Sequence, residues 1–311
     1  MRETTGRESG GVLLMAYGTP QSLDGVADYY THIRRGRPPA PEQLAELVGR
    51  YRAIGGVSPL YEITVAEGRL LEAELARRGR PWPVYLGMKH SRPFIADTVR
   101  QMAADGIQRA AAIVLAPHFS ALSVGVYLRE AQEAAALAGG PELSCVERWH
   151  LQPALQDALT ARLRAALRLF DEAERRRLKV IFSAHSLPER IVAQGDPYPQ
   201  ELLATSRALA ERLSLPDWTF GWQSAGRTDE RWLGPDIRSI LERLPGQGCA
   251  GVLLCPVGFV SDHLEVLYDL DIEARRRARE LGLHMERTES LNADPLLGAA
   301  LADAILEVMP A

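Results

Sequence analysis

Apolar residues in this chain gather in short unbroken runs, separated by longer stretches where they recur every third or fourth position. The runs are GVLLMAY (11–17), PVYLGMK (83–89), AAAIVLAP (110–117) and LSCVE (143–147), then KVIFSAH (179–185), TFGWQS (219–224), AGVLLCPV (250–257) and HMERT (284–288). A short continuous apolar run predicts a strand buried on both faces, and such strands alternating with helices predict a parallel sheet covered on both sides. The expected class is therefore α/β: two similar open domains, each a four-stranded parallel sheet flanked by helices. We place them at residues 10–160 and 161–311, with the last helix packing back on the first domain.

The halves also resemble each other locally. LLMAYGTP opens the first and VIFSAHSLP the second; each is a strand, an Ala, three residues and a Pro. Longer stretches, GMKHSRPF through APHFS and WQSAGR through GFVS, repeat the same succession of strand end, loop, helix, Gly and strand. Open parallel sheets bind ligands beyond the carboxyl ends of their strands. In this alignment Tyr17 and His185 are equivalent, so a cleft between the domains would receive a Tyr from one wall and a His from the other.

The stretch DHLEVLYDLDIEARRR (262–277) follows the seventh run and spaces Glu265, Asp269 and Glu273 four residues apart. On a helix these acids share a face and repel by a few tenths of a kcal/mol per pair. A solvated helix face accounts for them; so does a cation among them. Glu265 in the first turn is favoured by the helix dipole and can reach His185. Carboxylate plus imidazole suits Fe²⁺, Zn²⁺ or Co²⁺, while Asp269 and Glu273 alone suit a hydrated, weakly held ion. The row reads as an approach path, since a closed site would need four tight ligands.

Composition narrows the function. The 311 residues carry 46% hydrophobic and 24% charged side chains and a net charge of −4, which gives no footprint for nucleic acid. No run approaches a membrane span, and MRETTGRESGG lacks the apolar core of a secretory signal; a cytoplasmic protein with a mobile tail at 1–9 is expected. Cys145, Cys249 and Cys255 form no CxxC pair, so reduced thiols are expected. GGVSPL is not a phosphate-binding loop and no GxGxxG follows a strand, so a nucleotide is not supported.

Other candidates lie in the first half. Arg34, Arg35 and Arg37 in HIRRGRP, and Arg50 in GRYRAIGGVSPL, could take carboxylates or phosphates or form an ordinary basic turn. His90 and His118 end the second and third strands, as ligand groups or hydrogen-bond hubs. Tyr127, Trp222 and Trp232 suit either a cleft wall or core.

Taken together, LLMAYGTP, YYTHIRRGR, RYRAIGGVSPL, GMKHSRPF, APHFS, FSAHSLPERI, GWQSAGR, WLGPDI and PVGFVSDHLEVLYDLD resemble the ferrochelatase family from about residue 11 to 310. The resemblance implies two Rossmann-like domains without a nucleotide, a porphyrin in the cleft between them, and insertion of Fe²⁺ late in haem synthesis. It implies His185 as the catalytic His, Glu265 as its acidic partner, and Asp269 and Glu273 as the continuing acidic line. Tyr17 resembles the coproporphyrin III branch, in which this Tyr approaches the metal from the face opposite the His. Arg34, Arg50, Ser58 and Tyr127 match positions that hold propionates or line that pocket. The product would be the iron complex of coproporphyrin III. Protoporphyrin IX as substrate, or a non-catalytic tetrapyrrole carrier, are the alternatives. His185 is expected to titrate near neutrality and to accept a pyrrole proton or guide the metal. Some relatives hold an iron–sulfur cluster through C-terminal cysteines; LLGAALADAILEVMPA has none, so no cluster and no tightly bound cofactor are expected, only Fe²⁺ as substrate. A monomer is expected, with no stable membrane insertion and at most transient contact with neighbouring haem-pathway enzymes.

Overall fold

The structure, a computed structural model, describes residues 10–226 and 228–310; the tail expected at 1–9 lies outside the described residues. The first half runs β1 (Gly10–Ala16), α1 (Val26–Ile33), α2 (Pro41–Ala53), α3 (Leu60–Arg77), β2 (Val84–Met88), α4 (Ile95–Ala104), β3 (Arg109–Val114), α5 (Val124–Ala138) and β4 (Glu142–Val146). The second runs α6 (Pro153–Leu167), α7 (Glu172–Arg175), β5 (Leu178–His185), α8 (Arg190–Ala193), α9 (Tyr198–Leu213), β6 (Trp218–Gln223), α10 (Ile237–Arg243), β7 (Gly251–Cys255), a π-helix (Glu265–Ala274), α11 (Arg275–Glu280), β8 (His284–Arg287) and α12 (Pro295–Val308). Each predicted strand is present within a few residues of its expected ends.

Both sheets are parallel throughout, in the orders β2-β1-β3-β4 and β6-β5-β7-β8. Alternation along the strands explains the packing. Val12 and Leu14 of β1 point into one core with Val180 and Phe182 of β5 and Leu253 of β7, while Leu13 and Met15 point the other way into a core with Ile95 and Val124. Ile181, Val252 and Leu254 fill the outer core of the second sheet. Successive side chains of a strand face opposite sides, so each sheet spends one face on its own helices and the other on a core shared by both halves.

α12 packs against α3 of the first half as well as α6. The approach is close: a Cβ on Gly298 would come within 2.9 Å of Leu70. The expected division at residue 160 falls inside the continuous helix α6.

The strand order positions the site. In each sheet the connections after the two central strands run in opposite directions, from β1 to β2 and from β3 to β4, and likewise from β5 to β6 and from β7 to β8, so a crevice opens between β1 and β3 and another between β5 and β7. These are the switch points where open α/β sheets bind ligands.

Candidate functional site

The two crevices open into one cavity of about 450 Å³. Tyr17 follows β1 and His185 ends β5, and both line it, as their equivalence predicted. Two glycines let the surrounding loops close. Gly18 has φ +87°, and a Cβ there would come within 2.4 Å of the Ser91 hydroxyl. Gly258 packs its backbone on the end of β5, where a Cβ would come within 2.4 Å of Ala184; its N–H donates to the Ser183 carbonyl at 3.1 Å.

His185 faces the loop that leads into the π-helix. Its Nε2 is 3.4 Å from Glu265 Oε1, and His263 Nε2 is 3.7 Å from Glu265 Oε2. The other ring nitrogens are tied to backbone: His185 Nδ1 to the Ser186 carbonyl and His263 Nδ1 to the Ser261 carbonyl at 2.9 Å. One carboxylate is thus bracketed by two imidazoles. Tyr198 donates to the His185 carbonyl at 3.1 Å, satisfying a backbone acceptor at the strand end.

The charges follow from this packing. Burial pushes the His185 imidazole down, but Glu265 outweighs it and raises it to about 9, with the Ser186 carbonyl and Asp269 adding to the rise. Burial pushes the Glu265 carboxyl up, and His185 and His263 override it to hold it well below the usual range. The expectation of a near-neutral His185 is therefore corrected: the neighbouring carboxylate favours the imidazolium at neutral pH.

The acidic row is carried by the π-helix where the sequence suggested an α-helix. Its i→i+5 hydrogen bonds make a wider turn, a form that often marks functional sites. The three acids meet different surroundings along it. Glu265 is in the cavity, Asp269 is engaged from across the cleft by the Arg50 guanidinium and by Ser224 Oγ, and Glu273 is exposed. Burial outweighs Arg50 and leaves the Asp269 carboxyl above its usual range.

The first-half wall is aromatic and basic. Tyr17, Arg50, Ser58 and Tyr127 line it; Arg34 stands outside the lining, 5.7 Å from the ring of Tyr30, which does line it. Ser58 also accepts from the Leu60 N–H at 3.3 Å and starts α3. Burial, the charge of Glu265 and the neighbouring Tyr51 raise the Tyr17 phenol far above its ordinary value, which keeps it neutral. Behind it lies His90, with ring centroids 4.6 Å apart, and His90 Nδ1 meets His32 Nδ1 at 3.0 Å. That pair needs one proton between them. Burial, then Lys89 and His32, lower His90 to about 3.

Several residues were not singled out from the sequence. His263 is next to Asp262 in the acidic stretch and has no motif of its own. Lys89 lines the cavity with its ammonium 4.7 Å from the Tyr127 ring, and burial lowers its pKa. Tyr29, Tyr51 and Tyr198 add three further phenols to the lining. The spacing around Tyr17 and His185 carries no signal for them, because they arrive from α1, α2 and α9. His118 lines the cavity and is buried, with Nε2 2.9 Å from the Thr205 hydroxyl; burial keeps it neutral. Trp222 is core, and Trp232 stands 6.4 Å from the His185 ring.

Residues 9–309 match the family described as Ferrochelatase. A coproporphyrin III ferrochelatase of Geobacillus sp. (strain WCH70) is 45% identical over 300 residues, 96% of this chain and 97% of that one. A ferrochelatase of Herpetosiphon aurantiacus is 46% identical over 286 residues, 91% and 94% of the two chains. Among solved structures, SirB from Bacillus subtilis with Fe³⁺ superposes with a TM-score of 0.61 at 12% identity, over 97% of this chain and 96% of that one, which establishes likeness of fold. With a cleft at paired switch points, a His–Glu pair in it and a family match over nearly its whole length, this chain belongs to the ferrochelatase family.

Proposed function

We propose that the chain inserts Fe²⁺ into coproporphyrin III to give the iron–coproporphyrin. The observation that carries this reading is the opposition of Tyr17 and the His185–Glu265 pair across one cavity. A flat macrocycle between them has a phenol toward one face and an imidazole toward the other. The chelatase chemistry follows the family, and the substrate choice is supported by the relatives' names and by Arg50, Lys89 and Ser58 on the first-half wall. Arginine and lysine suit the four propionates of coproporphyrin III. Holding those groups at the rim lets binding energy distort the ring and expose its nitrogens.

Insertion must strip water from a dication while two pyrrole N–H protons leave. His185 holds a proton before the metal arrives, and an ion taken up by this nitrogen displaces it. The displaced proton leaves to solvent while the charged, bracketed Glu265 compensates the incoming dication; once the ion passes to the ring nitrogens, the freed His185 imidazole takes one pyrrole proton and the second leaves to solvent. The same pair thus serves metal guidance and proton removal in succession. Asp269 and Glu273 extend the negative field outward along the π-helix. The reading needs no resident cofactor and no iron–sulfur cluster, in keeping with the absence of Cys from residues 295–311. It places the chain in the cytoplasm as a monomer; among the described residues no helix is long and apolar enough to cross a membrane.

The test is anaerobic insertion of Fe²⁺, followed in the Soret and Q bands, with coproporphyrin III and protoporphyrin IX compared. Faster reaction with coproporphyrin III is expected. Preference for protoporphyrin IX overturns the substrate, and binding of both without insertion overturns the activity in favour of a carrier.

A further inference from the structure

Glu67 is the most enclosed acid next to the site. It sits in the middle of α3, in the first half, with no exposed surface. Its Oε1 is hydrogen-bonded to the hydroxyl of Ser261, in the second half; its Oε2 is buried with no hydrogen-bond partner among the described residues. A carboxyl kept out of water with half its capacity unused is costly. Its place in the molecule gives a reason for keeping it.

Ser261 lines the cavity and begins the segment that carries His263 and Glu265. Its hydroxyl goes to Glu67, and its carbonyl accepts from His263 Nδ1 at 2.9 Å. The next residue, Asp262, is fixed from its own half: its carboxylate accepts from Ser290 Oγ at 2.7 Å, Asn292 Nδ2 at 3.0 Å and Arg287 at 3.3 Å. The segment is therefore pinned on both sides, by its own domain at Asp262 and by the opposite domain at Ser261. A shift of Ser261 would turn its carbonyl and release the His263 ring, whose Nε2 now faces Glu265 at 3.7 Å.

We infer that Glu67 is a positioning residue for the metal-insertion site, a cross-domain clamp on Ser261 that orients His263 against Glu265. The inference rests on the role given to Glu265 above. Burial raises the Glu67 carboxyl to about 8, against the smaller opposing effect of the Ser261 bond. It is therefore uncharged at neutral pH and adds no second negative charge next to Glu265 or an anionic substrate.

The test compares Glu67→Leu, Glu67→Gln, Ser261→Ala and the double variant Glu67→Leu/Ser261→Ala. Outer partners of such sites typically carry about 10–100-fold in activity. Glu67→Leu and Ser261→Ala are each expected to lower kcat about tenfold, with KM for coproporphyrin III changed less than about threefold. The double variant should fall no further, as for two members of one clamp. Glu67→Gln, which keeps an acceptor for Ser261, should restore most of the rate. ¹⁵N NMR of the histidine rings reads the clamp without turnover. The wild type should show a protonated Nδ1 donating to the Ser261 carbonyl, and Ser261→Ala and Glu67→Leu should shift the Nδ1 signal as that bond loosens.

Unchanged kcat and unchanged His263 nitrogen shifts in either single variant overturn the inference, even if Tm falls. So do losses that multiply in the double variant. If Glu67→Leu does not fold, Ser261→Ala alone decides. If the wild type inserts no metal, the proposed function fails while the NMR arm still decides the clamp.

Discussion

Tyr17 and His185 occupy matching places at the ends of β1 and β5, yet their surroundings make them chemical opposites. His185 has a carboxylate 3.4 Å away and is held charged. Burial, then the charge of Glu265, hold Tyr17 neutral. A repeated architecture thus supplies two ligand-facing positions, and the loops following each strand decide what they do. The second half follows β7 with a His263–Glu265 pair and an acidic π-helix. The first half gathers phenols, Lys89 and Arg50. One half is arranged for a cation, the other for a flat anion.

The comparison can be broken most severely at His185. His185→Ala should lower insertion by roughly 10²–10⁴-fold, the usual reach of an acid–base group, while coproporphyrin III still binds by fluorescence quenching. Retention of full activity would remove His185 from the chemistry.

Glu265→Gln tests why the two strand ends differ in charge. A raised pKa means the imidazolium persists to higher pH, so the wild-type rate should climb as His185 loses its proton toward about 9. Without the carboxylate, burial dominates and lowers the imidazole. The rise should move to lower pH, beneath a maximum reduced about 10–100-fold, in kcat/KM for Zn²⁺ against pH. A profile that stays in place would show that His185 does not set it.

Arg50 joins the two halves at the cleft, so its two possible duties can be separated. Arg50→Gln should raise KM for coproporphyrin III about 10–100-fold if the guanidinium holds a propionate, in line with roughly 1.5–3 kcal/mol for a charged hydrogen bond. Asp269→Asn then frees Arg50 and should lower KM. Equal damage from both substitutions would instead make the ion pair itself the functional unit.

Tyr17→Phe should have a smaller effect on rate but abolish any phenolate-to-iron band of the product. Persistence of that band would assign it to another of the cleft phenols.

Glu67 offers a separate stability test. Its proton is held in the folded protein up to about 8 and released by an unfolded chain near the ordinary carboxyl value of 4.5. Stability from this group is complete below that ordinary value and is lost as pH rises through the folded one. The loss is roughly 3–5 kcal/mol over that window. Glu67→Gln should flatten this part of the stability–pH curve, measured as urea midpoints between about pH 4 and 9.

Much of the molecule was legible because its signals are local. Unbroken apolar runs such as KVIFSAH give strands directly, and the Ala-x-x-x-Pro echo placed Tyr17 opposite His185. Glu265 could be matched with His185 because both follow strands at one edge of the same sheet. The π-helix was not legible: acids four apart fit an α-turn as readily, and the difference lies in backbone hydrogen bonds. Nor was the pairing of Arg50 with Asp269, 219 positions apart in sequence, or the place of Lys89.

By itself, then, the sequence determined the two parallel sheets, the cleft at their strand ends, and the residue types facing it. Hydrophobic period and strand-end position are properties of contiguous residues. Tertiary structure alone decided the charge on His185, the isolation of Glu67 and the partner of Asp269. Each of these depends on burial and on groups brought in from distant segments, and electrostatic energies are set by that enclosure rather than by sequence neighbours.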